Sequence, residues 1–132
     1  MERGSLEELR GSIRQKEQGL IAQEEDYYRA KRRLAGSMRD LDDRHRRLAD
    51  ALGQEQEKMK RLLFHHDARP EAAAHFERKV RALQDESDWA YRKRLHALEE
   101  EMEQLRRRFY QERDQLEVEL HDLRRQYHER TN

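Results

Sequence analysis

No cysteine occurs in the chain, which excludes a disulfide framework, a thiol nucleophile and thiolate metal sites, and fits a reducing compartment. Net charge is equally absent. The 29 basic and 29 acidic side chains cancel, leaving +2 over residues 1 to 66 and −2 over residues 67 to 132. No field of one sign therefore favours nucleic acid or an anionic membrane surface. Long apolar runs are missing too: no segment approaches the roughly 18 uncharged apolar residues of a membrane helix, and the opening residues Met1 to Glu8 lack the apolar stretch of a secretory signal. The expectation is a cytoplasmic protein with no membrane insertion. Apolar material is scarce overall, at 34% hydrophobic against 44% charged residues, where ordinary domains have about 45–50% and about 25%. Residues 1 to 132 make at most one domain, and a thick core is out of reach.

What the chain does have is periodicity. Leu6, Ile13, Leu20, Tyr27, Leu34, Leu41, Leu48 and, past a polar Glu55, Leu62 recur every seven residues, and only a helix brings those positions to one side. Flanking apolar residues such as Tyr28, Met38, Leu52 and Met59 widen the line into a stripe, with charges filling the rest of each turn. In the second half, steps of three and four link Phe76, Val80 and Leu83, then Leu95, Leu98, Met102, Leu105, Phe109, Leu116, Leu120, Leu123 and Tyr127, again a coiled-coil pattern. Between Ser87 and Leu95 the spacing slips, and Trp89, Ala90 and Tyr91 fill the gap, so irregular packing is expected around Trp89.

The single proline, Pro70, lies in the one stretch with the chemistry of a break, His65 to Glu71. Proline suits the first turn of a helix, where its missing N–H costs nothing, and Asp67 or a neighbouring backbone group can cap the free donors there. All five glycines precede this point, each costing about 0.8–1.0 kcal/mol against alanine inside a helix, so the first arm is the softer one. The spacing predicts helix 1 over about 5–64, a turn over about 65–69 and helix 2 over about 70–129, each arm ~90 Å long at 1.5 Å per residue. The fold class expected is all-α: a long antiparallel two-helix hairpin, a coiled coil that completes a helical bundle with a partner. One buried stripe per helix does not offset a conformational cost of about 1–2 kcal/mol per residue. A second apolar flank (Tyr28, Met38 and Met59 on one arm; Trp89, Tyr91 and Tyr110 on the other) remains to be covered.

Chemistry is weakly signalled. His65, His66, Asp67 and His75 surround the turn, but no ligand spacing accompanies them, and no metal or other cofactor is expected. There is no glycine-rich phosphate loop and no nucleophile motif, and a two-rod fold offers no sheltering cleft, so the sequence does not read as an enzyme. The basic clusters Lys31 to Arg33, Arg44 to Arg47 and Arg106 to Arg108 each follow acidic residues at helix-pair spacing, which describes a solvated surface rather than a nucleic-acid face.

Tyr110 lies beside the seam residue Phe109 and about 100° around the helix from it, so it points partly outward, with Asp114 one turn on. An aromatic and an acid at this spacing make a compact recognition patch. Tyr-x-x-x-Asp on the second arm of a helical hairpin resembles the export signal of type VII secretion substrates. The run from Leu98 to Leu116, with the two arms and short turn, resembles the small helical proteins that partner LXG toxins in the type VIIb pathway. The resemblance implies a non-enzymatic partner and targeting factor. Such a protein binds the helical N-terminal domain of an LXG toxin, in company with a second small helical protein, and is exported with it by a route needing no signal peptide. It makes Tyr110 and Asp114 the export-signal candidates. Tyr28, Leu41, Leu48, Trp89, Leu95, Leu98, Met102, Leu105, Phe109 and Leu116 form the packing or partner interface. The turn holds Pro70 where WXG-type hairpins carry Trp-x-Gly. Two alternatives share the outline: a self-associating coiled-coil structural protein, for which a homodimer is expected, and a hairpin like the stalk of type III or flagellar export ATPases.

Overall fold

In the computed structural model, residues 2–67 and 69–132 are described, with side chains from residue 5 onward; Met1, and Ala68 within the expected turn, lie outside the described residues. Two helices account for nearly all of the chain: α1, Glu2–His65, and α2, Pro70–Thr131. They pack against each other as an all-α helical hairpin. The sequence-based limits were 5–64 and 70–129. Among the described residues no helix is long and apolar enough to cross a membrane.

The connection is built from backbone rules. The last α1 bond runs from the His66 N–H to the Leu62 carbonyl (3.1 Å), and the Asp67 N–H then reaches the Phe64 carbonyl at 3.4 Å. Asp67 takes φ 48°, the left-handed conformation that commonly ends helices. Asp67 therefore terminates α1, where the sequence had offered it as a cap for α2. The Arg69 carbonyl instead accepts from Ala72 (3.0 Å) and Ala73 (3.4 Å), and Pro70 occupies the first helical position. At the far end Thr131 Oγ1 returns a bond to the carbonyls of Tyr127 and His128.

Contacts group the chain into two units: residues 1–34 with 101–132, and residues 35–100. In the first, Leu6, Leu9, Ile13, Leu20, Tyr27 and Leu34 of α1 face Met102, Leu105, Phe109, Leu116, Leu120, Leu123 and Tyr127 of α2, all buried or half-buried. The α1 seam here keeps the seven-residue step. Gly19 lies beside the seam residue Leu116, whose Cδ1 is 3.9 Å from where a Cβ would stand, an ordinary contact distance.

In the second unit the step changes. After Leu41 the buried line of α1 moves by four to His45 and continues through Leu52, Gln56, Met59 and Leu63, so that Leu41, Leu52 and Leu63 lie eleven apart. On α2, Phe76, Ser87 and Leu98 show the same interval. A seven-residue repeat drifts about 20° per heptad against a straight helix, and an inserted step of four restores the phase. This is why Leu48 (46% exposed) and Leu62, expected on the seam, stand outside it. Leu83 is likewise exposed, with half-buried Gln84 in its place.

Burial is thin throughout. Leu9, Tyr27, Leu34, Val80, Leu98, Phe109 and Leu120 are the buried hydrophobic residues among those described, and only Leu98 falls as low as 2% exposed.

Candidate partner-binding surface

In the unit of 1–34 with 101–132, aromatic rings set the geometry. Tyr27 and Phe109 stack across the seam at 4.1 Å between centroids and 9° between planes. Tyr28 and Tyr110, each the next residue on its helix, meet them edge-on at 5.3 Å. Arg113 occupies the seam position after Phe109. Its guanidinium lies 4.8 Å from the Tyr110 ring centre and 5.7 Å from that of Phe109, and its head reaches Asp114 at 3.8 Å and Glu117 at 3.7 Å. Arg113 thus lies against Tyr110, with the Asp114 carboxylate within ion-pair distance of its head. Arg106 covers Tyr110 from the preceding turn at 5.8 Å.

Polar cross-links run along both sides of this seam. Lys16 bonds Glu119 at 2.6 Å, Gln23 Nε2 donates to Glu112 at 2.9 Å, Arg10 donates to the Tyr127 hydroxyl at 2.9 Å, Arg124 pairs with Glu17 at 3.2 Å, and Arg130 donates to Ser5. Lys16, with help from Gln115, holds the Glu119 carboxyl below the usual carboxylate range. Arg106, followed by Arg107, does the same for Glu103. This third basic cluster is accordingly held in part by the acid that precedes it.

The 35–100 unit carries a polar cluster where an apolar seam was expected. The Tyr91 hydroxyl donates to Asp42, His45 Nε2 lies 2.8 Å from Asp88 Oδ1, and the imidazole stacks on the Tyr91 ring at 4.2 Å. The bond to Asp42 raises the Tyr91 phenol above its ordinary value. Beside the cluster runs a shallow apolar groove lined by Leu41, Leu48, Ser87, Ala90 and the Tyr91 ring, with Arg44 and Arg94 at its rim. Small residues at 87 and 90 leave room there that leucines would have filled.

The expected interface residues divide in two. Leu98 and Phe109 are buried, and Leu41, Leu95, Met102, Leu105 and Leu116 are half-buried, so these hold the helices together. Tyr28, Leu48 and Trp89 stand out to solvent, Trp89 at 63% exposure with Lys93 lying 4.9 Å over its ring. Trp89 does not fill the seam gap; Ser87 and Tyr91 do. Phe64, at the end of α1, is 81% exposed. Tyr110 (39%) and Asp114 are exposed on the same face. Sequence reasoning missed Arg113 and the cluster of Asp42, His45 and Asp88. The available signal was a step of four from Leu41 to His45, matched by Asp88 and Tyr91 at three-residue spacing on the other arm. Among the described residues no group of three or more His, Asp or Glu gathers as a metal site. No family model matches the chain, and no curated protein or solved structure matches it.

Proposed function

We propose that this hairpin is a non-enzymatic partner and targeting factor for another helical protein, the helical N-terminal domain of a type VII-secreted LXG toxin. The observation that carries the reading is unfilled apolar surface in the 35–100 unit: the groove of Leu41, Leu48, Ser87 and Ala90, with Leu83 and Trp89 exposed on α2. A helix laid along that groove would bury leucine surface at about 25 cal/mol per Å² and offer acidic side chains to Arg44 and Arg94. Tyr110 and Asp114, with Arg113 beside them, are then the residues displayed to the export machinery.

The test is reconstitution. The chain is mixed with the toxin's helical domain, and the mass of the product is read by light scattering after size exclusion. A defined hetero-complex is expected, weakened at least tenfold by Leu48→Glu or Ala90→Glu, since either places an unpaired charge in the contact. Tyr110→Ala and Asp114→Ala should leave the complex intact and abolish export of the toxin. Absence of any complex refutes the partner assignment; normal export by both variants refutes the signal.

A further inference from the structure

The face of α1 carrying Ile21, Glu24, Glu25, Tyr28, Lys31 and Arg32 is not used by the seam, and it is palindromic in charge. These residues recur at three- and four-residue spacing, so they share one side of the helix. Ile21 is 59% and Tyr28 50% exposed, and both line a shallow surface groove with Glu24, Glu25, Arg29 and Arg32, of which Arg29 is already paired with Asp26 at 3.4 Å. Glu24 and Glu25 precede Tyr28, and Lys31 and Arg32 follow it. Among the described residues the ion pairs of this helix engage Lys16, Glu17, Asp26, Arg29, His45, Glu55 and Lys58, and none of Glu24, Glu25, Lys31 or Arg32.

From this we propose that a second copy of the chain docks here, its α1 antiparallel to the first, with a two-fold axis at Tyr28. At 100° per residue Glu24 and Lys31 lie on one flank of Tyr28 and Glu25 and Arg32 on the other, so that axis sets Glu24 against Lys31 of the second copy and Glu25 against Arg32, each twice, and brings the two Tyr28 side chains opposite each other. A parallel arrangement would set acid on acid and base on base, so the charges select the antiparallel one. The contact is isologous, closes on itself and stops at two copies. It is small beside the roughly 1,200 Å² of a standard stable interface, so the dimer is weak and concentration-dependent. The inference does not rest on the toxin-partner reading.

The chain's lack of cysteine makes the axis directly testable. Tyr28→Cys should form a disulfide-linked dimer on mild oxidation, whereas Val118→Cys, at a site of equal exposure to Ile21, should stay monomeric. A second arm uses charge. In E24R/E25K the face is all basic and in K31E/R32E all acidic. Each alone should self-associate about tenfold more weakly than the native chain in sedimentation equilibrium, while an equimolar mixture of the two should recover association as a hetero-dimer. All four positions are exposed, and of them Lys31 alone lies over the ring of a seam residue, its ammonium 5.9 Å from the Tyr27 ring centre, so helicity by circular dichroism should be unchanged. Equal cross-linking at positions 28 and 118, native-like association of either charge variant alone, or an inert mixture would each overturn the proposal. A native chain that stays monomeric at high concentration would do so as well, leaving the face to some other protein.

Discussion

The two units of this hairpin are made from the same kinds of residue and closed in different ways. In residues 1–34 with 101–132, the seam is apolar and aromatic, anchored by the Tyr27–Phe109 stack and flanked by cross-helix polar bonds. In residues 35–100, the seam passes through Asp42, His45, Asp88 and Tyr91 as well as through leucines, and Leu48, Leu62 and Leu83 lie outside it. A packed aromatic pair contributes burial as well as about 0.5–1.5 kcal/mol of specific geometry. A polar cluster contributes little net energy but fixes which residues face each other. The first unit is thus built to hold, and the second to hold its register while leaving apolar surface free.

The sharpest way to break the contrast is Phe109→Ala, which removes half of the stack. We expect a loss of about 3 kcal/mol, the low end for such a truncation because a shallow groove runs beside the Phe109 ring, seen as a lower urea midpoint. An equal loss from truncating any half-buried side chain in the 35–100 unit would erase the distinction. His45→Leu should act in the opposite sense: it replaces a polar seam residue with an apolar one while Asp88 keeps its solvent, and should raise stability by about 1 kcal/mol. Gly53→Ala should add about 0.8 kcal/mol from helix propensity alone, since nothing lies within 4 Å of the added methyl; a destabilised variant would show a contact there that the fold does not have.

The smallest expected effects are those of pH, and they separate the units by sign. Glu119 and Glu103 are held below the ordinary 4.5, so their contribution is complete above that value and is lost as pH falls through the lowered one. Tyr91 is held above its ordinary 10.0, so its contribution is complete below 10 and is lost as pH rises through the raised value. Acid should therefore weaken the first unit and alkali the second. Glu119→Gln should flatten the acid limb of a denaturation profile, and Tyr91→Phe the alkaline one. Unchanged limbs would mean that these bonds do not persist in solution.

Much of this was legible in the residue order. The seven-residue recurrence from Leu6 to Leu41 marked α1, and Pro70 marked the start of α2, because a helix stripe and an absent N–H are local properties. Seam membership beyond Leu41 was not legible, because a shift of four residues is a choice between two stripes of one helix, and the opposite arm decides it. Leu48 looks as apolar as Leu41, yet His45 takes the seam because Asp88 and Tyr91 meet it there. Trp89 fits, by sequence, both the slip in spacing and the uncovered apolar flank, and the phase of α2 turns it outward, onto that flank. Tyr110 and Asp114 were correctly placed on one exposed face, but Arg113, which lies beside them, was hidden as one charge among many.

Residue-resolved amide hydrogen exchange on the purified chain reads the two units separately. The slowest exchange is expected around Tyr27, Leu34, Phe109 and Leu120, and markedly faster exchange around Leu48, Leu62, Leu83 and Trp89. Uniform protection along both helices, or slower exchange around Trp89 than around Phe109, would contradict the contrast between the units.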